Sequence, residues 1–288
     1  MPTKQTHTLL AIFDGHGGAG AAIFAGQKLI QLIEDTPEWK EYAADPNLDD
    51  PEMVGKAMVK AYFECDRVLR HFQETDSTAD TSGCTAVSCM LTPKYVICVN
   101  AGDSRAVIGS NGLTIALSED HKPNNELERI RIEEAGGFIK NGRVDADLAV
   151  SRAFGDFQYK TRPDLQPEEQ KVSCEPDVRI HKRTPDDDIL LVACDGLWDV
   201  FSNSDAIECA RGILLSGETD PLKVCEEMLD ISLIKGSRDN ISGIVALLPG
   251  CMFGPASEGG VDKIREEREK KRLAEQEDKN KIHPEMRS

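Results

Sequence analysis

The residues best suited to chemistry are aspartates standing at the ends of apolar runs. Leu9–Phe13 runs into Asp14-Gly15-His16, and Tyr95–Ala101 into Gly102-Asp103. Ile189–Cys194 runs into Asp195-Gly196, with Asp199 four residues on, and Arg238-Asp239-Asn240 stands just ahead of Ile241–Leu248. If those strand tips lie together, several carboxylates converge in one cleft. Two unit charges 4 Å apart repel by about 4 kcal/mol at an effective dielectric of ~20, so such a cluster needs protons or cations. Oxygen-only ligands favour Mg²⁺, Mn²⁺ or Ca²⁺ over Zn²⁺. The nine cysteines include no C-x-x-C pair and the six histidines no H-x-x-x-H pair, so neither set is spaced as a zinc site. Each signal alone has an ordinary reading. Asp-Gly after a strand is a common turn, Asp103-Ser-Arg105 can be a salt-bridged turn, Arg238–Asn240 can be a loop entering a strand, and a single His16 is more often a hydrogen-bonded structural residue. Their joint occurrence, in order, is what makes one site of them.

Composition narrows the partners. The 288 residues carry a net charge of −17 with 40% apolar residues, enough for a sizeable core. Such a chain repels nucleic acid and acidic membrane surfaces. An anionic substrate then requires local positive charge, which a bound metal cation supplies. The odd number of scattered cysteines reads as reduced core residues of an intracellular protein. No run approaches the ~20 apolar residues of a membrane span, and the first residues lack a basic-then-apolar signal. The expected location is cytoplasmic or nuclear.

The elements that must position the aspartates follow from periodicity. Leu9–Phe13 reads as a short buried strand, followed by a helix with Ile23, Ile30 and Ile33 on one face. Asp50–Glu74 reads as a helix striped by Val54, Ala57, Ala61, Cys65, Val68 and Phe72. Thr85–Leu91 with Tyr95–Asn100, and Arg105–Ile108 with Leu113–Leu117, read as two hairpins. Asn124–Ala135 reads as a helix and Gly155–Pro176 as an irregular surface loop. Ile189–Cys194 and Ile241–Leu248 read as buried strands, with helices over Ser204–Leu215 and from Asp220-Pro221 to near Gly236 between them. The expected division is a folded domain over 1–250 and a charged tail over 251–288, helical or disordered. From Val261 on the tail carries nine Lys/Arg against eight Asp/Glu, so the acidity belongs to the folded part. The pairs Glu266/Lys270 and Glu267/Lys271 support an exposed helix there, and a partner-docking segment is its sharper reading. Antiparallel strands with helices early and late predict an α+β sandwich rather than a doubly wound parallel sheet.

Read together, the chain resembles the metal-dependent protein phosphatases of the type 2C family. The resemblance rests on Phe13-Asp-Gly-His-Gly-Gly18, Ser82-Gly-Cys-Thr-Ala86, Asn100-Ala-Gly-Asp-Ser-Arg-Ala106, Leu148-Ala-Val-Ser-Arg-Ala-Phe-Gly-Asp156, Ala193-Cys-Asp-Gly-Leu-Trp-Asp-Val200 and Ser237-Arg-Asp-Asn-Ile241, in that order. It implies a four-layer αββα sandwich of two antiparallel sheets flanked by helices. It implies two Mg²⁺ or Mn²⁺ ions, Asp14 bridging them, the Gly15 carbonyl on one, and Asp195 and Asp239 as further ligands. Asp103, with Asp199 nearby, matches a third, weaker metal position. His16 matches the residue that protonates the leaving oxygen, and the Gly155–Pro176 loop matches a variable flap beside the site. The implied activity is hydrolysis of phosphoserine and phosphothreonine in phosphorylated proteins by a metal-activated water.

The chain departs from the family pattern ahead of Asp14. Members carry there a strand or two of the sandwich, an Arg that grips the phosphate, and a Met-Glu-Asp-like motif with a metal ligand. The thirteen residues before Asp14 hold no acid and no Arg, only Lys4 and His7 as cationic candidates. The expectation is therefore a sandwich short of its N-terminal strands. A second reading stays open beside the phosphatase: a catalytically weak or inactive relative acting as a binding or regulatory module.

Overall fold

The computed structural model describes residues 7–45, 48–76 and 78–282. Lys4 lies outside them. Strands β1 (Thr8–Ile12) and β2 (Gly15–His16) lead into helices α1 (Gly20–Asp35), α2 (Pro37–Ala44) and α3 (Pro51–Thr75). Then come β3 (Gly83–Cys84), β4 (Ala86–Leu91), β5 (Tyr95–Ala101), β6 (Arg105–Ser110), β7 (Leu113–Ala116) and α4 (Glu126–Glu134). The short strands β8 (Ile139–Lys140), β9 (Arg143–Val144) and β10 (Phe154–Gly155) precede β11 (Asp177–Lys182) and β12 (Asp187–Ala193). The chain continues through α5 (Asp195–Trp198), α6 (Asn203–Leu215), α7 (Pro221–Ile234), β13 (Gly243–Leu247) and α8 (Gly260–Ile282).

Two antiparallel four-stranded sheets form, ordered β1-β4-β5-β11 and β13-β12-β6-β7. The two-residue period of a strand sorts their side chains into layers. Val87, Cys89, Val96 and Cys98 of the first sheet meet Ala106, Ile108, Leu190 and Val192 of the second in a dry interior. The alternate residues Ala86, Met90, Ile97 and Val99 face outward onto α1, α2 and α3, while Ile189, Leu191 and Ala193 face α6 and α7. The layers are helix, sheet, sheet, helix, as the resemblance implied.

Several local expectations are corrected. In α1 the buried face is Ala21, Ala25, Leu29 and Ile33. Ile33 is buried as expected, whereas Ile23 and Ile30 are exposed at 58% and 52%. In α3, Val54, Ala57, Ala61 and Cys65 are buried as predicted, but Leu69 replaces Val68, and Phe72 is half-buried, stacked on Phe24 at 5.2 Å. Neither β1 nor β13 is a fully buried strand: each is the edge of its sheet and half-buried along most of its length. The Gly155–Pro176 stretch is not a plain surface loop. It holds 3-10 turns at Phe157–Tyr159 and Pro167–Glu169 and buries Tyr159, Lys160, Gln170, Val172 and Cys174. The tail begins as part of the helical layer, since Val261 is fully buried and Ile264 packs on the α6/α7 core.

Candidate metal centre

The strand tips meet. Asp14, Gly15, His16, Asp103, Asp195 and Asp239 line one cleft of about 220 Å³, closed on another side by Arg143 and Leu148–Val150. Local contacts fix each tip. The Asp14 amide donates to Thr85 Oγ1 at 3.3 Å, the Thr85 amide donates to the Asp14 carbonyl at 2.9 Å, and the Thr85 hydroxyl meets Ser104 Oγ at 2.7 Å. Thr85 thereby ties the Asp14 turn to the residue after Asp103. Across the second sheet, the Asp195-Gly196 and Asp239-Asn240 turns are pressed together. Ser237 Oγ donates to the Gly196 carbonyl at 2.7 Å, and any Cβ at Gly196 would collide with the Asn240 carbonyl.

Asp199 is not among the cleft-lining residues. It is an exposed residue closing α5, and it acts on the cluster through its charge, which raises the pKa of Asp195. Nor does Arg105 pair with Asp103. It forks onto Asp120 at 2.8 Å through both Nε and Nη2, and the Lys122 ammonium contacts Asp103.

The cluster is short of positive charge. Burial, then the charges of Asp103, Asp14 and Asp199, push Asp195 up to about 7, with Lys122 opposing. Asp14 is raised too, chiefly by burial, with a hydrogen bond to Asp195 pulling the other way. Carboxylates that resist ionising side by side are the donor set of a hard cation. Cys194 Sγ lies within 4.8 Å of the Asp14 and Asp195 oxygens. Burial raises its thiol pKa, and the sulfur donates to the Asn240 carbonyl at 3.4 Å, so it stays a neutral thiol rather than a soft ligand. The residues present fit Mg²⁺ or Mn²⁺ held by oxygens.

His16 stands beside this cluster, and its partner is one the sequence reading did not single out. Its Nε2 lies 2.6 Å from Asp156 Oδ2. Burial alone would lower the imidazole pKa, but Asp156 first, and Asp103 and Asp14 after it, raise it. A miniature sheet ordered β10-β3-β2 carries both residues, with His16 opposite Gly83 and Asp156 directly after β10. A Cβ at Gly83 would run into the Asp156 carboxylate, so the bond crosses a strand whose glycine leaves it room. Asp156 closes the Leu148–Asp156 motif; only its left-handed backbone, φ 54°, and the missing side chain at Gly83 reveal its purpose. Arg143 was also missed, and Leu148–Val150, although inside the Leu148–Asp156 motif, carried no sign of lining the cleft. They form the cleft wall, and the Gly155–Pro176 loop reaches the site through Asp156 on His16.

Comparison with known proteins agrees with this geometry. The family model described as protein phosphatase 2C matches residues 2–241. Protein phosphatase 1A of Bos taurus is 38% identical over 247 residues, covering 85% of this chain and 63% of the relative. Protein phosphatase 2C homolog 2 of Schizosaccharomyces pombe is 40% identical over 252 residues, covering 84% and 64%. The chain thus spans just under two thirds of the length of these relatives. A solved serine-threonine phosphatase 2C from Toxoplasma gondii is similar with a TM-score of 0.72 at 25% identity, over 86% of both chains.

Proposed function

The chain belongs to the protein phosphatase 2C family, and on that premise we propose that it is a metal-dependent phosphatase acting on phosphoserine and phosphothreonine monoesters of proteins. The observation that carries this reading is the convergence of Asp14, Asp103, Asp195 and Asp239 on one cleft beside His16. Asp14, the Gly15 carbonyl, Asp195 and Asp239 are read as holding two Mg²⁺ or Mn²⁺ ions, with Asp103 and Asp199 serving a weaker third. When bound, such ions acidify water and offset negative charge on phosphoryl oxygens.

The chain's own residues supply the rest. A phosphomonoester dianion has a poor alkoxide leaving group, so a proton delivered to it contributes about 10²–10⁴ in rate. His16 is read as that donor. With its ring protonated, Nε2 is engaged by Asp156 and Nδ1 is left to give up a proton. Arg143, exposed in the cleft wall with Nη1 on the Asp147 carbonyl at 2.6 Å, is read as the cation that contacts the phosphoryl oxygens. Leu148–Val150 narrow the cleft against bulk water. The substrate is read as a phosphorylated protein of the cytoplasm or nucleus. Partner docking through 261–288 would use, among the described side chains, the exposed stretch 269–276 of α8. The test is hydrolysis of a phosphothreonine peptide. It should require Mn²⁺ or Mg²⁺ and disappear with chelator. Turnover that survives complete chelation overturns the mechanism, and peptide binding without turnover at saturating metal replaces it with a binding module.

A further inference from the structure

Away from the carboxylate cluster, one ion pair is buried for no reason that stability alone supplies. Asp66 of α3 and Lys160, just past the first 3-10 turn, are both buried, with Lys160 Nζ 2.7 Å from Asp66 Oδ1. A buried ion pair can commonly be replaced by apolar residues of the same size with little loss of stability, so its value lies in what else it holds. Asp66 Oδ1 also accepts the Gly155 amide at 2.8 Å, and Lys160 Nζ also donates to the Ala153 carbonyl at 2.9 Å. The pair therefore grips the backbone on both sides of Phe154. The grip falls where the backbone turns left-handed. Gly155 has φ 75° and Asp156 φ 54°, and a non-glycine residue in that region costs roughly 1–3 kcal/mol unless its surroundings enforce it. Asp156 is the residue whose carboxylate reaches across Gly83 to His16.

We propose that Asp66 and Lys160 are positioning residues for His16, fixing the Ala153–Asp156 backbone so that the Asp156 carboxylate meets the imidazole. The inference rests on reading His16 as the proton donor. It differs from a purely structural role in one respect: the loss on breaking the pair depends on how badly the leaving group needs a proton.

The test uses the full chain with Asp66→Leu and Lys160→Met combined, which removes both charges together and leaves no lone buried ion. Two substrates are compared at saturating Mn²⁺, a phosphothreonine peptide and p-nitrophenyl phosphate, whose leaving group departs without protonation. Misplacement of a proton donor by a fraction of an ångström to one ångström should lower kcat on the peptide by about tenfold to a hundredfold, and on the aryl ester by less than about threefold. His16→Ala should show the same selectivity. Asp66→Asn, which keeps an acceptor for the Gly155 amide, should lose less on the peptide, and it carries the test if the double variant fails to fold. Equal losses on the two substrates, or an unchanged peptide rate, overturn the proposal. If the parent chain turns over neither substrate, the phosphatase reading fails separately. The ¹⁵N resonances of the His16 ring then decide the positioning: a move of Nε2 toward its unbonded value in the variant supports it, and an unchanged signal overturns it.

Discussion

Two clusters in this molecule each bury a carboxylate among charges, and they do opposite things with it. Glu128 of α4 is 3% exposed. Burial pushes its pKa up, but Arg152 and Arg131 more than reverse this and hold it at about 2. Arg152 reaches it at 2.7 Å and Arg131 at 2.8 Å, and Arg152 goes on to Asp177 at 3.0 Å. In that network the carboxylates meet arginines from within the chain. At the strand tips the same residue chemistry is left short of cations, and Asp195 rises to about 7. The difference separates a structural carboxylate from one kept for something the chain does not itself contain. Burial is common to both; the supply of arginines divides them.

Removing a carboxylate from the unmatched cluster should have the largest effect. Asp239→Asn should lower phosphopeptide turnover by at least about 10²–10³, with circular dichroism unchanged, since electrostatic groups at a reacting centre are typically worth that much. An Asp239→Asn protein that keeps half its activity would erase the distinction. In the matched cluster, Glu128→Gln takes the anion away from Arg131 and leaves Arg152 with Asp177; breaking a buried pair costs up to about 3–5 kcal/mol, to be read from urea unfolding.

The acid limb sharpens this. A folded pKa of about 2 against an ordinary 4.5 means the Glu128 contribution is fully present above about pH 4.5. It fades as pH falls toward 2, so the gap between wild type and variant should close over that window. The cleft should titrate with the opposite sign. Asp195, raised from 3.8 to about 7, makes the metal-free folded protein bind more protons than the unfolded chain between those values. Its stability should therefore fall as pH rises through them. Mg²⁺ at a hundred times its Kd should restore about 2.7 kcal/mol. A melting temperature in chelator that climbs from pH 5 to 7, beyond the slope of an Asp195→Asn control, would contradict this. The smallest change concerns the cation that the cleft wall does own. Arg143→Ala should raise KM for the phosphopeptide about tenfold with kcat little changed, the signature of a binding contact.

Much of this was legible in the sequence. The apolar runs Tyr95–Ala101 and Ile189–Cys194 announced strands, and the aspartates at their tips announced the site. Fold class and cleft followed from those residues together with the order of the six motifs. What was illegible depends on side chains that meet across long chain separations. The His16–Asp156 bond joins residues 140 apart, and the two-residue strands β2, β3 and β10 are too short to leave a period. Arg152 lies inside the Leu148–Asp156 motif, yet its partners Glu128 and Asp177 belong to other elements. On α1 the buried stripe runs through Ala21, Ala25, Leu29 and Ile33, and apolar spacing alone does not tell it from the neighbouring stripe that carries Ile23 and Ile30.

Glu227 of α7 is fully buried, and its carboxylate meets Arg265 Nε at 3.1 Å and the Arg268 guanidinium. Both cations come from α8, the segment that composition alone would detach. The first turns of α8 cannot peel away without breaking both ion pairs to Glu227 and uncovering Val261 and Ile264, so their opening is tied to that of α7. Amide exchange in Val261–Arg268 should keep pace with the interior of α7, and exchange should quicken abruptly past Arg268. The physical edge of the folded unit is set where the last buried charge is neutralised, two turns inside a helix that looks like solvent-exposed tail.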